Sequence, residues 1–324
     1  MDYKDFTYHI RDSIQKMADK NETVCLNKVL KNNDMELDAL CIHTKQSNIS
    51  PSIYLNTYYT EYLEGRELAD IIREIYQLFR THKDQLQFNI NRFRSFETIK
   101  DRLAFKLINR KSNKRLLQTV PFVEFLDLAI VFYFLIDDEY LGSATALIHN
   151  VHLDMWNITK DELYQHALEN TTKILPPIIR NMNDIITDML AKDIEETIYE
   201  KDYRYEENCR MPSPQVVAEG VMNNVIKRED LLEMYVLTNQ QKLNGASCIL
   251  YEHVLREFAL SIERNLYILP SSIHEVILVP AYPDISKRQL SKMVQEVNIQ
   301  ELEMDDILSD HAYYYDYVTD KIMY

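Results

Sequence analysis

The chain has 324 residues, of which 46% are hydrophobic and 10% aromatic, so it can bury a large core without disulfide or metal support. Its 51 acidic residues outweigh 36 Lys and Arg, and the formal charge of -15 opposes direct nucleic-acid binding, although a local basic patch could still exist. The chain has four glycines and neither a GxGxxG nor a GxxxxGK[ST] motif. Rossmann and P-loop nucleotide binding are therefore disfavoured, and no cofactor is expected.

The location of the protein follows from two stretches. Residues 1–20 are charged and amphipathic and lack the apolar centre of a signal peptide, so we expect a cytoplasmic protein. Residues 120–136 are the most apolar run, but they contain Glu124 and Asp127 and fall short of the ~20 apolar residues of a membrane span. This run predicts a buried strand centred on residues 128–135, with both carboxylates solvated at its edge. No membrane partner is expected.

The first third of the chain predicts two helices and a small sheet. Apolar side chains recur at helical spacing over residues 6–17 and again over residues 68–79. Between these helices, residues 23–30 and 36–43 predict two strands joined by a polar turn, and residues 53–55 predict a third strand.

The middle of the chain begins with an extended segment at residues 102–108, and residues 144–149 are predicted to pair with the apolar strand. Thr159 and Glu162 form a capping box, which marks the start of a helix. Asn183 is predicted to cap the next helix.

The unit that organises the chain is a strand, a helix and a hairpin. Residues 235–238 predict the strand, and Gly245 precedes an amphipathic helix that runs to Ile262. Residues 266–269 and 276–279 are apolar at consecutive positions, which is typical of strands covered on both faces. The last part of the chain is predicted to form a helix at residues 290–297, a strand at 313–318 and a return strand at 322–324.

These elements predict an α+β fold, with antiparallel or mixed sheets and flanking amphipathic helices. We expect an N-terminal module at residues 1–84, a central module at 96–200 and a C-terminal module at 230–324. Residues 201–229 are polar and contain two prolines, so they are interpreted as a linker or a mobile excursion.

The chain contains, in this order, the stretches SNISPSIYLN, FLDLAIVFYFLI, ELYQHALENT, NGASCILY, LYILPSSIHEVILVP and LSDHAYYYD. Together they resemble a family of uncharacterised proteins from Clostridia and related gut Firmicutes, in which they occur in the same order. The resemblance runs from the N-terminus to Tyr317. The chain is more distantly similar to the YtpQ-like family of Bacilli. The resemblance implies a cytosolic bacterial α+β protein and supplies no catalytic residue or ligand.

The corner between the two hairpin strands gathers Ser272, His274 and Glu275 within four residues. Ser271 or Ser272 as a nucleophile, with His274 as its base, would suit a hydrolase or transferase. However, close neighbours in a tight turn rarely reach the geometry that acyl transfer requires, so a turn held by serine hydroxyl groups is favoured.

A second candidate is a metal site at His149, His152 and Asp154, where imidazoles lie three residues apart. No distant further ligand is identifiable, so a structural hydrogen-bonded role is favoured and no metal is predicted. The four cysteines, Cys25, Cys41, Cys209 and Cys248, form no CxxC pair and are predicted to be buried reduced thiols.

Three functional hypotheses remain. The favoured one is a non-enzymatic module that binds another protein or associates with itself, because the chain is acidic and has no coherent catalytic set. The alternative is a hydrolase or transferase that uses the Ser272 corner or the His149 and His152 site. The third is an acidic mimic of nucleic acid that inhibits a basic protein.

Overall fold

The computed structural model describes residues 1–44, 52–83, 93–138, 142–200, 213–225, 232–270 and 272–324. The chain divides into two compact units, residues 1–171 and residues 172–324. Both combine antiparallel sheets with helices, which confirms the α+β prediction. In the part of the chain covered by these ranges, every helix is too short or too polar to cross a bilayer.

The first unit begins with a three-stranded antiparallel sheet of order β1-β2-β3 that is covered by helices. Its elements are α1 (Tyr3–Met17), β1 (Glu22–Leu30), β2 (Glu36–Thr44), β3 (Ile53–Tyr54), α2 (Leu55–Leu63) and α3 (Leu68–Lys83). The predicted amphipathic helix α1 is confirmed, since Phe6, Ile10 and Ile14 are fully buried against this sheet and α3. Helix α2 was not predicted, because its many tyrosines give little contrast between its faces.

The second sheet of this unit is built around one long strand. Its elements are α4 (Phe96–Ile99), β4 (Leu103–Asn109), β5 (Phe122–Phe125), β6 (Leu128–Asp138), β7 (Gly142–Leu147), α5 (Asn150–Trp156) and α6 (Lys160–Ile174). Strand β6 pairs with β4 along one edge, and with β5 and then β7 along the other.

Two expectations in this region can be compared with the structure. The buried strand predicted at residues 128–135 is confirmed as β6, but the apolar run of residues 120–136 also contains β5, because Leu126 adopts a positive φ of 52° and turns the chain between the two strands. The predicted capping box is confirmed. Thr159 N donates to Glu162 Oε2 at 2.7 Å, and Glu162 N donates to Thr159 Oγ1 at 3.2 Å.

The second unit contains a six-stranded antiparallel sheet of order β13-β12-β10-β11-β9-β8. Its strands are β8 (Pro177–Asn181), β9 (Tyr235–Asn239), β10 (Leu266–Leu269), β11 (Val276–Pro280), β12 (Tyr313–Asp316) and β13 (Lys321–Met323). Its helices are α7 (Met182–Glu200), α8 (Pro214–Val225), α9 (Val254–Ser261) and α10 (Lys287–Gln300). The predicted hairpin, β10 with β11, and the predicted return strand β13 are both confirmed.

Three details of this unit differ from the predictions. The helix expected after Gly245 is split into a 3-10 helix (Gly245–Leu250) and α9, because His253 adopts a positive φ of 70° between them. The residue that caps α7 is Asn181 rather than Asn183, since Asn181 Oδ1 accepts from Asn183 N at 2.8 Å. Strand β8 was not predicted, because two prolines precede its short apolar stretch.

The three-module division stays a prediction. Its first boundary, near residue 84, follows the end of α3, and its second, near residue 200, lies inside the second compact unit. Helix α8 lies within the segment 201–229, while residues 201–212 and 226–229 fall outside the described residues. Most of the polar stretch between the first two modules, at residues 84–92, also falls outside them.

The cysteines are placed as follows. Cys41 and Cys248 are buried free thiols, as predicted, whereas Cys25 is half-buried and Cys209 falls outside the described residues. Cys25 and Cys41 lie opposite each other in the register of β1 and β2, although they are distant in sequence. Burial raises the pKa of the Cys248 thiol to about 12, which suits an inert core residue.

A basic groove as the candidate functional site

The corner that joins β10 to β11 uses its polar groups to hold the turn. Ser272 is buried, and its Oγ accepts a hydrogen bond from His274 N at 3.0 Å. The carbonyl of His274 accepts from Thr238 Oγ1 at 2.8 Å, which ties the corner to the end of β9. Ser271 lies outside the described residues. This is a local turn in which hydroxyl groups satisfy the backbone.

The imidazole of His274 faces a carboxylate instead of a hydroxyl. His274 Nε2 lies 3.3 Å from Asp306 Oδ1, and both side chains are about one third exposed. A serine nucleophile would need to hydrogen-bond one ring nitrogen while a carboxylate holds the other. Ser272 Oγ makes no such bond to the His274 ring in the described region, and Glu275 lies half-buried beside them. The geometry therefore gives the hydrolase hypothesis no support, and that hypothesis stays a prediction.

The two histidines that were considered as metal ligands, and for which a structural role was favoured, lie at the start of α5. His152 Nδ1 accepts from His149 N at 3.0 Å, and the His152 ring stacks on Trp156 with ring centroids 5.3 Å apart. Burial, and then the neighbouring His149, lower the pKa of His152. Asp154 is exposed. Within the described ranges, no three His, Cys, Asp or Glu side chains are grouped to hold a metal ion. The metal candidates therefore stay a prediction.

A cavity of about 550 Å³ lies beside β3, α2 and α3 in the first unit. It is lined in part by Tyr58, Glu61 and Glu74. Both carboxylates are paired with Arg66, and Tyr58 OH donates to Glu74 Oε1 at 3.2 Å. Because these charges are satisfied within the protein, the cavity offers little to select a charged ligand.

The strongest candidate is a groove where β4 ends and β5 begins. It encloses a cavity of about 680 Å³, within the usual range for ligand pockets. The lining residues are Arg110, Lys111, Lys114, Leu117, Gln118, Phe122, Glu124 and Asp127. We call this surface the basic groove. It combines three cations with two carboxylates and an apolar floor, so it can receive a ligand that is both anionic and apolar.

The loop that carries the cations is anchored from beneath by Asn113. This side chain is fully buried, and its Nδ2 donates to Asn33 Oδ1 at 2.9 Å and to the Asn109 carbonyl at 2.8 Å. Its Oδ1 accepts from Asn33 N at 2.8 Å. A buried amide with this many partners fixes the loop in one position.

Asp34 provides the second anchor. Asn33 and Asp34 form the turn between β1 and β2 with positive φ values of 57° and 52°, a conformation that Asn and Asp tolerate better than other residues. In this turn, Asp34 Oδ2 accepts from Arg115 N at 2.8 Å and Asp34 Oδ1 accepts from Leu116 N at 3.0 Å. The turn of the first sheet therefore holds the loop of the second sheet.

Two of the four loop cations are neutralised, and two are not. Arg110 Nη1 lies 2.6 Å from Glu124 Oε2, and Arg115 Nη2 lies 3.1 Å from Glu36 Oε2. Hydrogen bonds from Lys28 and then Arg115 lower the pKa of Glu36. Lys111 and Lys114 are exposed and have no ion-pair partner among the described residues. The two lysines therefore lack ion pairs within the described ranges, and with Asp127 counted, three cations against two carboxylates give the lining of the groove a net charge of +1.

Sequence analysis missed this groove, although a signal was present. The segment RKSNKR places four cations in six residues of an otherwise acidic chain. What the sequence does not reveal is the pairing of Arg110 and Arg115 with residues from other elements. The carboxylates of the groove were expected to be solvated at a strand edge, and Glu124 is exposed at β5.

The fold and the groove define an α+β protein with a recessed surface lined by three cations and two carboxylates. The chain belongs to the family described as Family of unknown function (DUF5688), which matches residues 3–317. This match confirms the resemblance to an uncharacterised family over nearly the whole chain, while the clostridial range and the YtpQ-like similarity stay predictions. No curated protein and no solved structure matches the chain.

Proposed function

We propose that this protein is a non-enzymatic interaction module whose basic groove binds an acidic, partly apolar segment of another protein chain. The observation that supports this proposal is the pair Lys111 and Lys114, exposed without ion-pair partners among the described residues on a loop anchored by Asn113. In a chain with a formal charge of -15, two lysines on an anchored loop that have no ion pair in the described part of the chain would attract an anionic partner locally.

The groove suits an acidic peptide better than a nucleic acid. Two of its lining residues, Glu124 and Asp127, are carboxylates that would repel a continuous row of phosphates. Leu117 and Phe122 are half-buried apolar side chains that also pack on the core formed by Ile108, Leu116 and Val131. Burying aliphatic side chains of the partner against this floor would stabilise the complex.

The binding test uses a labelled synthetic peptide in which glutamates alternate with leucine and methionine, measured by fluorescence anisotropy. We expect the double variant Lys111→Ala and Lys114→Ala to weaken binding about tenfold, since each screened charge contact contributes about 0.7 kcal/mol. Binding should also weaken as salt is raised, because the contacts are exposed.

The matched control removes the same two charges elsewhere. Lys160 and Lys173 are exposed on α6, and their double alanine variant should bind the peptide like the wild type. Equal losses of peptide affinity in both variants would show that net charge alone drives binding, and the groove would then not be the binding site. If a single-stranded oligonucleotide bound the wild type more tightly than the peptide did, the partner of the groove would be a nucleic acid and not an acidic protein segment.

A further inference from the structure

A second surface of the protein has the chemistry that the basic groove requires. At the end of α10, Ile299 is 84% exposed, and five residues later Met304 is 67% exposed. Between them, Glu301 and Glu303 are exposed and have no ion-pair partner among the described residues. We call residues 299–304 the acidic ridge. The ridge therefore places two exposed apolar side chains on either side of two carboxylates that have no ion-pair partner among the described residues.

The acidic ridge is held in place by the structure beneath it. Leu290 and Val294 bury the inner face of α10, and Asn298 Nδ2 donates to the Ser309 carbonyl at 2.8 Å. Just after the ridge, Asp306 N donates to the Glu303 carbonyl at 3.0 Å, and Ile273 N donates to the Asp306 carbonyl at 2.9 Å. The ridge therefore projects from a fixed base and needs little ordering to bind.

The two surfaces complement each other in charge and in apolar content. The groove presents the cations Lys111 and Lys114, and the ridge presents two carboxylates. The groove has an apolar floor of Leu117 and Phe122, while the ridge offers one aliphatic side chain at each end. Opposite charges steer the surfaces together, and covering the aliphatic side chains provides the favourable burial.

We propose that the acidic ridge of one copy of this chain occupies the basic groove of a second copy. This inference rests on the proposed function, because it names the partner of the same groove. The groove and the ridge are different surfaces, so the contact is heterologous: the copy that supplies the ridge keeps its groove free, and the copy that supplies the groove keeps its ridge free. Copies therefore add head to tail, either closing into a ring or extending into a chain.

The expected contact is weak. A six-residue ridge in one groove buries an area at the low end of specific interfaces, so association should rise with protein concentration instead of being complete. Sedimentation velocity over a concentration series measures this directly on the full chain. The wild type should show species larger than a monomer as concentration rises, and the larger species should decrease when salt is added.

Two charge-reversal variants test the contact. The groove variant carries Lys111→Glu and Lys114→Glu, and the ridge variant carries Glu301→Lys and Glu303→Lys. Each variant alone places like charges on both surfaces, so its self-association should weaken at least tenfold. The matched control, Lys160→Glu with Lys173→Glu, should associate like the wild type. All substituted positions are exposed, and unchanged circular dichroism and melting temperature would show that the variants fold.

Mixing the two variants is the decisive experiment. The ridge variant retains an intact groove, and the groove variant retains an intact ridge, so an equimolar mixture should recover the assembly that neither variant forms alone. A wild type that stays monomeric at every concentration would overturn this proposal. So would variants that associate normally, or a mixture that fails to recover.

These outcomes are separable from failure of the proposed function. If the wild type stays monomeric but the groove still binds the synthetic acidic peptide, the groove is an interaction site for a different protein. If the peptide does not bind and charge reversal has no effect on association, both proposals fall. Should a charge-reversal variant unfold, the corresponding double alanine variant gives the same comparison with a smaller expected effect.

Discussion

The corner at residues 272–275 and the loop at residues 110–115 are both polar connections near strand ends, but they use their polar groups in opposite ways. In the corner, Ser272 Oγ and the His274 carbonyl accept hydrogen bonds from within the same unit. In the loop, the anchoring is done by Asn113 and by Asp34 of another turn, which leaves two lysines exposed. The polar groups of the corner are thus used to hold the fold, whereas the two lysines of the loop have no ion-pair partner among the described residues.

The largest expected effect tests how tightly the corner is packed. A Cβ added at Gly245 would lie 2.1 Å from Thr238 Oγ1, 2.5 Å from the His274 carbonyl oxygen and 2.9 Å from Asn239 N. Two of these atoms belong to the backbone and cannot rotate away. We therefore expect Gly245→Ala to lower the free energy of unfolding by about 3 kcal/mol in urea denaturation.

Gly220 in α8 provides the matched control, since a Cβ there would meet no atom within 4 Å. Gly220→Ala should be neutral or should stabilise the protein by up to about 1 kcal/mol, because alanine favours the helix. Similar small effects at both glycines would show that the corner is loosely packed, and the contrast with the basic loop would weaken.

The second prediction concerns the anchor of the basic loop. Asn113→Ala removes three hydrogen bonds at a buried position, so it should lower the free energy of unfolding by about 2 kcal/mol. Because the loop loses its support, the same variant should also bind the acidic peptide more weakly. For Ser112→Ala, at the exposed neighbouring position, the free energy of unfolding should stay within about 0.5 kcal/mol of the wild-type value. An unchanged Asn113→Ala variant would mean that the loop does not need its anchor.

Much of the fold could be predicted from local signals. Apolar spacing located α1, α3 and the hairpin β10 with β11, and the capping box located the start of α6. The turn between β5 and β6 was missed because it contains only one polar residue, Asp127, and neither glycine nor proline, and it is the positive φ of Leu126 that reveals it. Hydrophobicity alone carries no information on such a backbone reversal.

The candidate site could not be predicted, for a different reason. Four cations in RKSNKR look alike in sequence, and only tertiary structure pairs Arg110 with Glu124 and Arg115 with Glu36. The anchor of the loop joins Asn33 to Asn113, which are 80 residues apart along the chain. Charge patterns within a short window therefore indicate where cations are, but not which of them remain available.

The third prediction returns to the corner with a smaller change. Ser272→Ala removes the hydroxyl that accepts from His274 N, so unfolding should become easier by about 1 kcal/mol. Ser286→Ala is the control, because Ser286 precedes α10 but its side chain makes no capping hydrogen bond there. We expect that control to change stability by less than about 0.5 kcal/mol. Equal stability of the two variants would contradict the structural role of the Ser272 hydroxyl.

The smallest expected effect is the one that separates binding from folding. The free energy of unfolding of the double variant Lys111→Ala and Lys114→Ala should lie within about 0.5 kcal/mol of the wild-type value, because neither lysine has an ion-pair partner among the described residues. Arg110→Ala removes the contact with Glu124 at the same groove, so a slightly larger loss is expected there, up to about 1 kcal/mol. Urea denaturation of both variants, beside the peptide titration, measures the difference. Weaker peptide binding without a loss of stability is expected of residues on an interaction surface. A loss of stability larger than that of Arg110→Ala would instead show that the two lysines stabilise the fold.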